Sequence, residues 1–129
     1  MTSPVITVHP DDSLDLVNAI FSSEKFHHLL VVENKKLLGI FSDRDLFKAI
    51  SPNLGKAAEK DADLATLKKK VHQIMSRKPV TIEEDESVRK AIALFDEHGF
   101  SCLPVMDANQ FPTGIISWRD IIKMLRSRL

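Results

Sequence analysis

The sequence predicts a mixed α/β (α+β) fold built from two copies of one β-α-β-β-α unit, and three observations carry that prediction. First, the chain repeats itself. At an offset of 74 residues Thr7 meets Thr81, Ser13 meets Ser87, Ala19 meets Ala93, Phe21 meets Phe95, Leu29 meets Leu103 and Val31 meets Val105. A one-residue shift then pairs Gly39 with Gly114, Ser42 with Ser117, Arg44 with Arg119, Asp45 with Asp120 and Lys48 with Lys123. Second, each copy alternates short β-branched runs with stretches whose apolar residues recur at helical spacing. Third, 129 residues with 43% hydrophobic and 28% charged side chains suit a folded core of one domain or two very small ones.

Each element has its own local cause. Val5–Val8 and Val80–Ile82 are β-branched runs ended by Pro10 and by the acidic cluster Glu83–Glu86, and read as strands. Leu14, Val17, Ile20 and Phe21 in the first copy, and Val88, Ala91, Ile92 and Phe95 in the second, each make one apolar helical stripe. Ser13 and Ser87, with Asp12 and Asp85 nearby, suit helix N-caps, and Gly99 suits a left-handed closing residue. Leu29–Val32 and Leu103–Met106 are too short for helices and read as buried strands. The polar turns Asn34–Lys36 and Asp107–Pro112 lead to strands at Leu37–Phe41 and Gly114–Ile116, and helices are expected from about Asp43 to Ile50 and Arg119 to Arg128.

The predicted organisation is a first repeat over residues 1–50, a linker over 51–75 and a second repeat over 76–129. Pro52 and Gly55 break the chain after the first copy. Leu64, Leu67, Val71 and Ile74 then recur at helical spacing, which predicts an amphipathic bridging helix with Lys68-Lys69-Lys70 on its solvated side.

Charge and composition exclude several function classes. Eighteen basic residues balance eighteen acidic ones, so a basic surplus for coating nucleic acid is missing and no nucleic-acid partner is expected. No apolar run approaches the roughly 18 residues of a membrane span, and the start MTSPVITVHPDDS lacks a secretory pattern. Cys102 is the single cysteine, so a reducing cytoplasm is the expected location. Catalysis finds little support. His9, His27, His28, His72 and His98 are scattered, no Cys/His cluster has metal-ligand spacing, and Ser42 and Ser117 lack a recognisable His partner. A non-enzyme without a metal or required cofactor is expected.

The chemistry gathers where the last strand of each repeat turns into a helix. In Gly39-Ile-Phe-Ser42-Asp-Arg44-Asp45 and Gly114-Ile-Ile-Ser117-Trp-Arg119-Asp120, a hydroxyl and a carboxylate stand three residues apart at a helix start. Exposed first-turn amides attract an anion there. Ser42 or Ser117 can donate to a phosphate or ribose oxygen, and Asp45 or Asp120 can accept from two vicinal ribose hydroxyls. Arg44 and Arg119 can neutralise a phosphate. The same Ser and Asp also suit a plain helix cap, and the sequence leaves both uses open. Trp118 has no counterpart in the first copy and suits either covering a pocket or packing in a dimer.

The repeated Gly-x-x-Ser-x-Arg-Asp, the runs His28-Leu-Leu-Val-Val and Cys102-Leu-Pro104-Val-Met-Asp107, and Val71-His-Gln-Ile-Met75-Ser-Arg-Lys-Pro79-Val together resemble a tandem pair of cystathionine-β-synthase (CBS) domains, a Bateman module. The resemblance covers almost the whole chain. It implies two repeats packed about a pseudo-two-fold axis with two equivalent clefts between them, and further association into a homodimer. It also implies regulatory binding of adenosine derivatives such as AMP, ADP or ATP, with S-adenosylmethionine or NAD as further ligands, and signalling to an enzyme, channel or transporter. Carried over by motif, one pocket would join Ser117 and Asp120 with Thr2, Ile6, Phe26 and His27. The other would join Ser42 and Asp45 with Ser76, Val80, Phe100 and Ser101. Phe26 and Phe100 would face a purine or simply fill the core. Gln73 stands where the family often has Asp, and Leu30 where the second copy has Pro104, so the two pockets need not be equally competent. The alternative function is a ligand-free dimerisation module with vestigial pockets, suggested by Ile121, Ile122 and Leu125, expected as exposed apolar residues on the last helix.

Overall fold

The computed structural model describes residues 6–23, 27–50 and 60–129, so Thr2, Val5, Phe26, Pro52 and Gly55 lie outside the described residues. Contacts divide the chain into two compact units, one of Ile6–Lys78 and one whose described part is Pro79–Leu129.

The first unit runs β1 (Thr7–Val8), α1 (Leu14–Ser23), β2 (His28–Glu33), β3 (Lys36–Ser42), α2 (Asp43–Ala49), α3 (Asp61–Ala65) and β4 (Ser76–Arg77). Its sheet has the order β1-β2-β3-β4, with β1 parallel to β2 and the other pairs antiparallel. The β2–β3 hairpin closes on Asn34 and Lys35, both at positive φ (52° and 64°) between the pair Glu33–Lys36, as a tight two-residue turn requires. Leu14, Val17, Leu29, Val31, Phe41 and Leu46 are fully buried together, which is where the helical stripe and the two strand runs meet.

The second unit repeats the plan: β5 (Ile82–Glu83), α4 (Val88–His98), β6 (Cys102–Met106), β7 (Pro112–Ser117) and α5 (Trp118–Arg128). Its sheet order is β5-β6-β7, with a parallel first pair and an antiparallel second. Of the three apolar residues expected to be exposed on the last helix, Ile122 and Leu125 are, but Ile121 is buried in the core with Phe95 and Leu103, on the face of α5 turned to the sheet. Both hairpins carry a register shift at the same repeat position, Val31/Val32 and Val105/Met106. Ser87 caps α4 by accepting from Lys90 N at 3.2 Å, and Gly99 closes it at φ 70° and ψ 19°, as expected. Asp107 folds the β6–β7 connection on itself, its Oδ1 accepting from Asn109 N and Phe111 N.

The expected caps and bridging helix need correction. Ser13 does not cap α1 with its side chain; its backbone bridges Lys70, while Asp12 Oδ2 accepts from His9 N at 2.8 Å. The linker, in turn, is not one amphipathic helix. After α3, the chain makes 3-10 turns at Thr66–Lys68 and Val71–Gln73, with Lys69 and Lys70 extended between them. Residues 69–72 run antiparallel to 10–14: Leu14 N donates to Lys69 O, Val71 N to Asp12 O and His72 N to Pro10 O, at 2.9–3.0 Å. This ladder places Val71 fully inside the core, with Ile74 and Met75 against it, whereas Leu64 stays exposed. A short helix repays its nucleation poorly, and the apolar spacing is met equally well by extended chain and single turns.

His28, half-buried beside the start of α2, has its pKa lowered below its ordinary 6.5, chiefly by burial and against the attraction of Asp43. Because the unfolded chain binds this proton more readily, stability is expected to fall as pH drops from 6.5 through the lowered folded value. Denaturation at pH 7.5 and 5 checks this: His28→Gln should lose part of the acid sensitivity, and an unchanged pH difference would refute the assignment.

Candidate functional site

The two strand-to-helix junctions are built alike. In the first unit Ser42 ends β3 in extended conformation and caps α2: Asp45 N donates to Ser42 Oγ (3.2 Å), and Ser42 N donates to Asp45 Oδ2 (2.9 Å). In the second unit Ser117 and Asp120 make the same reciprocal box at α5 (3.3 and 2.8 Å), and Ser117 Oγ also donates to Asp120 Oδ2 at 3.1 Å. The Ser-x-x-Asp spacing is therefore a capping box in both copies. Capping consumes Oδ2 of each carboxylate, so a hydroxyl of a bound sugar would have to use the other oxygen or share this one. Arg44 and Arg119 are exposed on the first turn, where either can reach an anion.

The surroundings of the two junctions differ. In the first unit His27 O accepts from Asp43 N (3.0 Å), and His27 Nδ1 lies 2.8 Å from Asp43 Oδ2, so the imidazole is held beside the helix start by a carboxylate sixteen residues away. In the second unit the same place is filled by Ser101, whose carbonyl accepts from Trp118 N at 3.3 Å. Trp118 packs on Phe95 of α4 with ring centroids 4.9 Å apart. Repetition located both junctions but not the His27–Asp43 pair or the Phe95–Trp118 contact, because neither has a counterpart in the other copy.

The remaining predicted site residues fall as follows. Ile6 is exposed, and its carbonyl accepts from Leu30 N. Ser76 is exposed in β4, opposite Ile40 of β3. Val80 is half-buried against the core of the second unit. Phe100 is 41% exposed and stacked on His98 (centroids 5.3 Å apart), so it is not the core residue that its apolar character allowed. Within the first unit the fold brings together Ser42, Asp45, Arg44 and His27; within the second it brings together Ser117, Asp120, Arg119 and Ser101.

Other chemistry is muted. Burial pushes the Cys102 thiol up to about 12, so it carries no thiolate at neutral pH. Among the described residues no three His, Cys, Asp or Glu side chains gather for a metal ion, and no helix is long and apolar enough to cross a membrane.

Comparison with known proteins fits this geometry. A solved CBS domain pair in complex with 5'-methylthioadenosine and S-adenosyl-L-methionine superposes with a TM-score of 0.80 at 28% identity, over 100% of this chain and 94% of that one. A CBS domain-containing protein of Dictyostelium discoideum is 33% identical over 127 residues, 97% of this chain and 87% of the relative. An L-aspartate semialdehyde sulfurtransferase of Methanocaldococcus jannaschii is 29% identical over 125 residues, 96% of this chain, but the match spans only 22% of that enzyme. The CBS domain family model itself matches residues 1–52 and 71–127. With its two repeated β-α-β-β-α units and their twin capped junctions, the chain belongs to the CBS domain family.

Proposed function

We propose that the chain is a regulatory, non-catalytic module that binds an adenosine derivative at its Ser/Asp junctions and passes occupancy to a partner protein or domain. The observation that carries this reading is the duplicated Ser-x-Arg-Asp box, Ser42/Arg44/Asp45 and Ser117/Arg119/Asp120, preserved in sequence and in hydrogen-bonded geometry. The related domain pair solved with 5'-methylthioadenosine and S-adenosyl-L-methionine supports the ligand class. In this reading each Asp accepts from ribose hydroxyls, each Ser and first-turn amide donates to sugar or phosphate, and the arginines favour phosphorylated ligands. His27 and Ser101 add a polar group beside their own junctions, and Thr2, Ile6, Phe26, Ser76, Val80 and Phe100 supply the base-facing contacts. The sulfurtransferase match, confined to a fifth of that enzyme, supports an attached or associated enzyme as the receiver of the signal.

Ligand binding is tested by thermal shift and Trp118 fluorescence with AMP, ADP, ATP, NAD and S-adenosylmethionine, because a ligand of the folded state raises stability by mass action. Saturable binding of at least one is expected; none at millimolar concentration defeats the reading. Asp45→Asn and Asp120→Asn keep an oxygen for the cap but lose charge, and each is expected to weaken binding by about 1–3 kcal/mol. Parental affinity in both variants would remove the ribose assignment.

A second reading, a ligand-free dimerisation module, is favoured by exposed apolar side chains: Phe47 on α2 (67% exposed) and Ile122 on α5 (61%). Sedimentation separates the two. A homodimer that Ile122→Lys dissociates, with no ligand bound, supports the second reading alone.

A further inference from the structure

The two junctions differ in charge, and the difference comes from two repeat positions that change together. Asp43 of the first unit has Trp118 as its counterpart in the second, and His27 has Ser101. Asp43 Oδ2 lies 2.8 Å from His27 Nδ1, which holds the carboxylate at its junction with 27% of the side chain still open to solvent. In the second unit the indole of Trp118 packs on Phe95, and Ser101 brings no charge. The first junction therefore sets two carboxylates, Asp43 and Asp45, against the guanidinium of Arg44, whereas the second sets Asp120 alone against Arg119. His28 and Cys102, each paired across its hairpin with the capping serine of its own unit, report on the two surroundings. Burial lowers the His28 pKa, and Asp43, His27, Asp45 and Arg44 also act on it, so these charges converge on one strand end. Cys102 is shifted by burial alone.

We propose that the two junctions sort adenosine derivatives by charge: Asp43, held by His27, makes the first select a neutral or cationic ligand, and the second takes a phosphorylated one. This rests on the adenosine-binding reading above and names the ligand class at each place. Both junctions share the Ser and Asp that would meet ribose, so discrimination falls on the part of the ligand beyond the sugar. A phosphate drawn to Arg44 also meets the carboxylate of Asp43, the neighbouring residue, whereas one drawn to Arg119 meets an uncharged indole. One unit charge at about 6 Å changes the affinity of a charged ligand at least about three-fold even in water-like surroundings, against an anion and in favour of a cation. The effect is specificity rather than overall affinity, because the neutral nucleoside feels neither term.

The experiment titrates the isotope-labelled full chain with adenosine, AMP and S-adenosylmethionine at about pH 7.5 and low salt, where screening is weak. Amide shifts are followed separately at residues 42–45 and 117–120. The ratio of AMP to adenosine affinity is expected to be at least about three-fold higher at the second junction than at the first, and the ratio of S-adenosylmethionine to adenosine affinity lower. Asp43→Asn, which keeps an oxygen for His27, should raise the AMP ratio at the first junction about three-fold and leave the second junction's ratio where it was. Equal ratios at the two junctions, binding of all three ligands at one junction only, or a first-junction ratio that Asp43→Asn does not move overturns charge sorting while adenosine binding stands. No saturable shift with any of the three overturns the adenosine reading itself, and this proposal with it.

Discussion

Phe95→Ala is expected to lower the stability of the second unit by about 3–5 kcal/mol, the usual cost of removing a buried phenylalanine ring. Phe95 is 1% exposed in the core with Leu103, Val105 and Ile121, and its ring carries the indole of Trp118 at 4.9 Å. The cavity would therefore open directly beneath the first residue of α5, next to the Ser117–Asp120 box. Denaturant unfolding followed through Trp118, the single tryptophan, reports on this unit. The variant should shift the midpoint strongly and move the native emission to longer wavelength as the indole gains water. A loss under about 1 kcal/mol would mean that the core collapses around the gap, contrary to close packing.

Gly39→Ala is expected to cost about 1–3 kcal/mol by overpacking. In an exposed strand the same change would stabilise, because glycine loses more chain entropy on folding. Here the added Cβ would stand 2.7 Å from the Ser76 carbonyl oxygen and 2.8 Å from Met75 Sδ. The thioether can swing aside, but the carbonyl is backbone of β4, which holds β3 through only Gly39–Arg77 and Ile40–Ser76. The strain should surface as faster amide exchange at Ile40 and Ser76 and as a lower midpoint by far-ultraviolet circular dichroism. Unchanged exchange with raised stability would reverse the sign argument.

The parts of the fold that were legible in the sequence are those where local pattern and burial agree. The stripe Leu14–Val17–Ile20–Phe21 produced α1, the short apolar runs Leu29–Val32 and Leu103–Met106 produced β2 and β6, and the duplicated motif located both junctions. The linker misled because Leu64, Leu67, Val71 and Ile74 satisfy helical spacing, while the first core needed only Val71, Ile74 and Met75 from an extended path. Tertiary pairing with residues 10–14 decided the conformation, and no local signal encodes a ladder formed across some sixty residues. The site divides the same way. Ser42, Asp45, Ser117 and Asp120 were visible through repetition, and their capping box was one of the two uses the spacing allowed. The His27–Asp43 pair was not, since it joins residues that only the β2–β3 hairpin brings together.

The threading of residues 69–77 along the first unit also bears on how the chain comes into being. A ribosome delivers β1 through α2 well before Val71 and β4, so the first hydrophobic core stays open on one side during that interval. Truncation after residue 50 would leave Leu14 and Phe41 without the cover of Val71 and Met75, and such a fragment should be recovered as aggregate. The smallest piece expected to fold alone from this half ends at Lys78.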